Sequence, residues 1–326
     1  MSGQLSFHSQ WDPTSPTEPA RTDPGLPLGE RRGVSFFDLP CRSALNRCTS
    51  ERMPFQWTIN PYRGCEFGCT YCYARYSHEF LGMEDWVDFQ DKILVKRAAP
   101  ALLPKELTAE RMNGKALAIG TVTDPYQPAE REFRVTRGIL EVLVRARGLT
   151  LSITTKSALI TRDLELLKEI ASRSRLSINI SLITLNRRLA RLLEPRAPTP
   201  ERRLATIRTL AGAGLRVGVF AMPVLPGLTD SPRALDALVK ASAEAGASHF
   251  TAQMLFLRGS ALKGFLPRLA NDFPALAFRY RREYARSAYQ PSLVRERLSH
   301  LVSSLIKKYN VGVPASRNFK PALGLR

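Results

Sequence analysis

The sequence predicts an α/β fold, an open parallel barrel short of closure, and three observations carry that prediction. Short runs that are apolar on both faces alternate with stretches of helical period from about residue 58 to residue 257; strands buried on both sides and separated by helices pair in parallel, with the helices as crossovers. About six such units can be counted, fewer than the eight that close a barrel. The chain has 326 residues, 44% of them hydrophobic, enough to fill one large core.

The elements follow in order. Residues 1–30 are rich in Pro, Ser and Thr without hydrophobic period, which predicts a disordered tail. Their start lacks the basic and apolar regions of a secretory signal, and no run of about 18 apolar residues occurs. A cytoplasmic protein with no membrane partner is the expectation. Residues 31–257 are assigned to the barrel. TIN (58–60) is its first strand and ALAIGTVTD (116–124) its second, followed by the amphipathic stretch EFRVTRGILEVLVRAR (132–147). LTLSITTK (149–156) precedes TRDLELLKEIASR (161–173), where Thr161 is placed as the helix cap. LSINISLI (176–183) leads into NRRLARLLE (186–194) and then TPERRLATIRTLAGAG (199–214), which ends on glycine as helices often do. LRVGVFAMPVL (215–225) precedes SPRALDALVKASAEAG (231–246), and SHFTAQMLFL (248–257) closes the series.

The net charge of +19, from 48 Lys and Arg against 29 Asp and Glu, suggests a polyanionic partner. Residues 258–326, assigned to a basic helical C-terminal extension, contain Asp272, Glu283 and Glu296 as their only acidic residues. Within them AFRYRREYARSAYQ (277–290) interleaves Phe278, Tyr280, Tyr284 and Tyr289 with Arg279, Arg281, Arg282 and Arg286. Arginine pairs with phosphates and aromatic rings stack on bases, which fits DNA or RNA. Tyr280 and Tyr284 also stand four apart, the spacing of a helix face packed on a core, so a solvated basic helix remains the alternative.

In a barrel of this kind the C-terminal strand ends converge on one mouth and carry the functional groups. The second strand ends on Thr121, Thr123 and Asp124, the third on Thr154, Thr155 and Lys156, the fourth on Asn179, Ser181 and Thr184. Asp124 followed by Pro125 also fits a plain turn, and Lys156 a solvent-exposed side chain. Glu194, ahead of a proline, either reaches the mouth or simply ends its helix, and the helix stop is the preferred reading. The first strand runs into RGCEFGCTYCYAR (63–75), with Cys65, Cys69 and Cys72 spaced C-x3-C-x2-C. Five cysteines, an odd number, argue for a metal or reactive thiol rather than a disulfide framework. Thiolates bind soft metals. A structural zinc needs four closed ligands, so His78 would have to complete the set; a [4Fe-4S] cluster on three cysteines leaves one iron open for a cofactor. Cys41 and Cys48 lie outside the motif and are not assigned as ligands.

With Tyr71 immediately before the last cysteine, this motif resembles that of the radical SAM superfamily. TINPYRGCEFGCTYCYAR (58–75) followed by GTVTDPYQPAE (120–130) is similar to the branch described as DNA repair photolyase-like, related to spore photoproduct lyase. The resemblance spans roughly residues 40 to 260. It implies a partial (β/α)6 barrel of the radical SAM type, with a [4Fe-4S] cluster on Cys65, Cys69 and Cys72. S-adenosylmethionine would chelate the open iron, and an electron from a ferredoxin or flavodoxin would cleave it to methionine and a 5′-deoxyadenosyl radical that takes hydrogen from substrate. By motif position it places Thr123 and Lys156 at the methionyl carboxylate, with Tyr71 beside the adenine; Ser181, at the end of the fourth strand, is the candidate for the ribose, and Asp124 a further candidate for the cofactor site. One position departs from the lyase. A hydrogen-donating thiol there stands three residues before the second-strand aspartate, and here that residue is Thr121, whose O–H bond is too strong for the task. A zinc-stabilised nucleic-acid-binding protein without catalysis is the alternative class.

Overall fold

The computed structural model describes residues 25–311 apart from Arg52, Glu84 and Arg258. In chain order the strands are β1 (Leu26–Arg31), β2 (Val34–Asp38), β3 (Asn46–Arg47), β4 (Trp57–Ile59), β5 (Tyr62–Arg63), β6 (Lys92–Val95), β7 (Ala116–Ile119), β8 (Thr150–Thr155), β9 (Arg175–Ser181), β10 (Val217–Val224) and β11 (His249–Met254). They form a seven-stranded sheet in the order β11-β10-β9-β8-β7-β4-β3 and a four-stranded sheet in the order β1-β2-β6-β5. In the large sheet β4 and β7 to β11 are all parallel, and β3 is antiparallel to β4. These six parallel strands are the expected six units, and the sheet stays open between β11 and β3.

Burial along each strand explains the layering. In β8, Leu151, Ile153 and Thr155 are buried while Ser152 and Thr154 are half-buried. Successive side chains point to opposite faces, so one face of the sheet packs under the helices and the other lines a polar concave trough. Three strands share that trough: Asn179 Nδ2 donates to Ser152 Oγ at 3.0 Å, and His249 Nε2 lies 2.8 Å from Asn179 Oδ1. Asn179 therefore belongs to the barrel interior and not to the mouth where the sequence placed it. Gly218 on β10 makes room for this layer, since a Cβ there would lie 2.1 Å from His249 Nε2.

The crossover helices start on side-chain caps. Asn186, Thr199 and Ser231 accept from the backbone N–H of Leu189, Arg202 and Ala234, and Pro200 and Pro232 occupy the first helical turn. Thr161 is not a cap. It lies inside a 3-10 turn, Ala158–Asp163, and its hydroxyl donates to Ala158 O, so the α-helix begins only at Leu164. The turn is held by charge, because Arg162 pairs at 2.8 Å with both Asp163 and the buried Glu130.

Two ends differ from expectation. Of the predicted tail, residues 1–24 lie outside the described residues, but Leu26–Arg31 is a strand, joined to β2 by a two-residue turn in which Arg32 and Gly33 both have positive φ. Its side chains are mostly exposed, so backbone hydrogen bonds hold it and no hydrophobic period betrays it. At the other end, helix Ser292–Lys308 packs on β11, with Leu298, Val302 and Leu305 buried in the main core. Helices Gly259–Asp272 and Pro274–Glu283 form a second core with Cys65, Cys69 and Tyr71. Tyr280 and Tyr284 are core residues there, as their spacing allowed, donating to Pro226 O and Leu255 O. Among the described residues no helix is long and apolar enough to cross a membrane.

Two histidines shielded from water, His78 buried and His249 half-buried, make the fold acid-sensitive. Burial pushes His78 and His249 down to about 4, below the usual value near 6.5. Both are neutral in the folded state, so stability is full above pH 6.5 and is lost as pH falls from there toward 4, where only the unfolded chain takes up the protons. Urea unfolding at pH 5 should show a loss of about 1–2 kcal/mol per histidine relative to pH 7, and His249→Gln should remove its share of that slope.

Candidate metal and cofactor site

The loop that carries the three cysteines leaves β4 at the C-terminal end of the barrel and is fastened on both sides. Asn60 Oδ1 accepts from the backbone N–H of Thr121 at 2.9 Å and of Val122 at 3.0 Å, tying β4 to the loop after β7. The Gly64 carbonyl accepts from Thr123 Oγ1 at 2.6 Å and Gln127 Nε2 at 3.1 Å. Gly64 itself has φ +84°, and a Cβ there would lie 2.8 Å from Phe89 O, so only glycine fits. Gln127 Oε1 accepts from Glu66 N at 2.9 Å, and Glu66 Oε1 from Ala129 N. On the far side Thr70 donates through N and Oγ1 to Leu193 O.

The thiols so presented are unpaired, Cys65 and Cys69 buried and Cys72 half-buried. Burial raises the Cys65 thiol well above its usual range and pushes Cys69 up to about 12, and the neighbouring cysteines push in the same direction. Three thiols on one short, largely buried loop carry their charge when a bound cation balances it, and binding one releases their protons. His78 does not join them. Its Nε2 lies 3.0 Å from Lys92 O and its ring stands edge-on to Phe89. Among the described residues no three His, Cys, Asp or Glu side chains come close enough together to hold a single metal ion. The donor set is three thiols without a fourth, which fits a multi-iron cluster with an open position and does not fit the closed site of a structural zinc.

Beside Cys69 lies a buried charged ledge built from the third and fourth units. Glu194 is fully buried; it accepts hydrogen bonds from Tyr71 Oη and Arg203 Nη2, and Lys156 Nζ lies 3.8 Å away. Burial alone would raise the Glu194 carboxyl, but Arg203 and Lys156 outweigh it and hold it below the usual range. Arg203 Nη1 also donates to Ser181 O at 3.0 Å, fixing the end of β9. Asp124 braces the neighbouring strands: Oδ1 accepts from Tyr126 N and Thr155 Oγ1, and Oδ2 from Lys156 N at 2.7 Å.

The structure thus brings Tyr71, Thr123, Asp124, Lys156 and Ser181 to one end of the barrel around Cys65, Cys69 and Cys72. Thr123 and Asp124 spend their side-chain oxygens on the loop and the strand ends, and the Tyr71 hydroxyl is spent on Glu194. Sequence reasoning ranked the mouth second for Glu194, behind a helix stop. Its N–H does close the turn onto Ala190 O, but its carboxylate is the hub of the ledge. The available signal was its place on the fourth unit, just beyond a strand that feeds the mouth. Asn60, Gln127 and Arg203 were missed because their partners are distant in sequence.

The basic segment borders the same end, since Tyr280 and Tyr284 anchor helix Pro274–Glu283 to residues just beyond β10 and β11. Arg279 pairs with Glu283 at 2.7 Å, while Arg281, Arg282 and Arg286 are exposed and Phe278 is 71% exposed.

Comparison with known proteins agrees with this geometry. The pattern of the Radical SAM superfamily matches residues 59–238. A Mycobacterium tuberculosis protein, Rv2578c, is 41% identical over 280 residues, covering 86% of this chain and 82% of its own. A Methanocaldococcus jannaschii protein, MJ0683, is 31% identical over 175 residues, 54% of this chain and 62% of its own. Among solved structures, a spore photoproduct lyase variant with bound S-adenosylmethionine and dinucleoside spore photoproduct aligns with a TM-score of 0.59 at 15% identity, over 84% of this chain and 79% of that one. Streptococcus suis SuiB bound to its precursor peptide SuiA aligns at 0.50 and 15% identity, over 78% and 46%. At these identities the structural matches speak for the fold alone.

The ledge yields a graded expectation. Glu194→Gln leaves the buried Arg203 and the half-buried Lys156 without their carboxylate and should cost about 3–5 kcal/mol in denaturant unfolding. Tyr71→Phe removes one hydrogen bond from a group that keeps its cations and should cost about 1 kcal/mol.

Proposed function

The chain belongs to the radical SAM superfamily, and from that premise we propose that Cys65, Cys69 and Cys72 hold a [4Fe-4S] cluster whose open iron receives S-adenosylmethionine. When bound, these groups supply one-electron cleavage of the sulfonium and a carbon radical that takes hydrogen from substrate. The observation that carries the reading is the junction of three thiols lacking a fourth donor with a buried ledge where two cations face one carboxylate. Lys156 shares Glu194 with Arg203, so an incoming carboxylate gives it a partner of its own. In this reading Tyr71 and Glu194 hold that ledge, Thr123 and Asp124 fix the loop and Lys156 relative to each other, and Ser181 faces the ribose. The concave trough of Ser152, Asn179 and His249 leads away from the mouth. A ferredoxin or flavodoxin supplies the electron.

For the substrate, the reading is a nucleic acid approaching across Arg281, Arg282 and Arg286. Their exposure supports it, as does the position of their helix beside the mouth. The absence of a thiol at Thr121 favours a reaction other than the repair of spore photoproduct.

Two outcomes test these assignments. Anaerobically reconstituted and reduced protein should convert S-adenosylmethionine to 5′-deoxyadenosine. Cys69→Ala should lose both iron and that product and Cys48→Ala should keep them, while Lys156→Ala keeps its iron and binds S-adenosylmethionine more weakly by about 2–5 kcal/mol in a calorimetric titration. Separately, the triple Ala variant of Arg281, Arg282 and Arg286 should flatten the dependence of log affinity for duplex DNA on log salt by up to about 2.7, from about 0.9 per lost phosphate contact; an unchanged slope rejects the substrate class.

A further inference from the structure

Arg75 stands three residues after Cys72 and is 3% exposed. Its Nη2 donates to Cys69 O at 3.1 Å and to Gln90 Oε1 at 3.0 Å, its Nη1 to Trp86 O at 2.6 Å, and its Nε to Cys69 O at 3.4 Å. The guanidinium lies 4.0 Å from the centre of the Trp86 ring and 5.5 Å from that of Phe89. Every one of these partners is neutral, and among the described residues no carboxylate lies within ion-pair distance of it. Among the described residues the other buried arginine, Arg203, has Glu194. A guanidinium does not shed its proton, so Arg75 is a full positive charge in an apolar pocket without a counter-ion, an arrangement that proteins avoid unless an anion completes it. The charged group facing it from the adjoining helix is another cation, the exposed Arg268, while the groups able to become anionic are the three cysteine thiols.

We propose that Arg75 is the counter-charge of the cluster held by Cys65, Cys69 and Cys72, and that its field eases the one-electron reduction of that cluster. This rests on the cluster reading above. In the step concerned one electron passes from a low-potential donor to the cluster, no bond forms or breaks, and the cluster becomes more negative by one unit. A fixed cation held against the Cys69 backbone favours the more negative state. Arg75 ligates nothing; it positions the loop through the Cys69 carbonyl and acts on the cluster through space.

Gln90→Glu is the decisive variant. It places a carboxylate of the same size where Arg75 Nη2 already donates, neutralising the charge without emptying the pocket. The readout is the reduction potential of the cluster in the absence of S-adenosylmethionine, from a dithionite titration followed by electron paramagnetic resonance, with iron and sulfide counted. Gln90→Glu should keep its iron, fold at least as stably as the unaltered apoprotein, and show a reduced-to-oxidised ratio at fixed potential lower by about tenfold, equivalent to 59 mV for a one-electron couple. Arg75→Met should shift in the same direction and Arg75→Lys should shift less. A merely structural Arg75 predicts the gain in stability with no change in potential, and that result overturns the proposal; if Arg75→Met fails to fold, Gln90→Glu still decides. Unaltered protein that takes up no iron sinks the cluster reading and this inference together. A fully loaded unaltered protein whose variants keep its potential sinks this inference alone.

Discussion

Glu194 lies fully buried between Arg203, Lys156 and Tyr71, and the geometry of the barrel mouth depends on it. The buried Arg203 would be severely penalised in the interior without this carboxylate, and the half-buried Lys156 shares it, so one group organises both cations in a single arrangement. That arrangement fixes more than itself. Through Arg203 it holds the end of β9, through Lys156 it meets β8 and the Asp124 brace, and through Tyr71 it grips the cysteine loop from the side opposite Gly64. A loop of twelve or so residues carrying three thiols would otherwise have many conformations; pinned at Gly64, Thr70 and Tyr71 it has few.

The division of labour at the mouth follows from which polar atoms are already committed. Thr123, Asp124 and Asn60 use their oxygens to join strand ends to the loop, and so help to build the site. Lys156 is different. Its nearest carboxylate is 3.8 Å away and is engaged by two other donors, which leaves its ammonium the least satisfied group on the ledge. In the proposed reading an incoming carboxylate pairs with this ammonium.

The barrel was legible because each strand, as in LSINISLI and LRVGVFAMPVL, carries an apolar buried face and is followed by a helical stretch. The small sheet was not, since β1 is held by backbone bonds to β2 and shows almost no burial pattern. The three cysteines announced themselves by spacing. Glu194 did not, because a glutamate before a proline satisfies the local rules for a helix end, and the pairing with Arg203 that overrides them is visible only in three dimensions. Asn179 was misplaced for a related reason. A polar residue near a strand end was taken for a mouth residue, whereas the alternation along β9 turns it inward onto Ser152 and His249. Tyr280 and Tyr284 show the opposite case, in which four-residue spacing announced a packed face and the structure supplies the core it packs on.

The central claim is that a cluster on Cys65, Cys69 and Cys72 keeps one iron open toward Lys156. The most direct measurement is the electron paramagnetic resonance spectrum of the reduced protein before and after S-adenosylmethionine is added. Ligation of the open iron should shift the g-values of the cluster signal. A reduced cluster whose spectrum is unchanged at saturating S-adenosylmethionine would contradict the account.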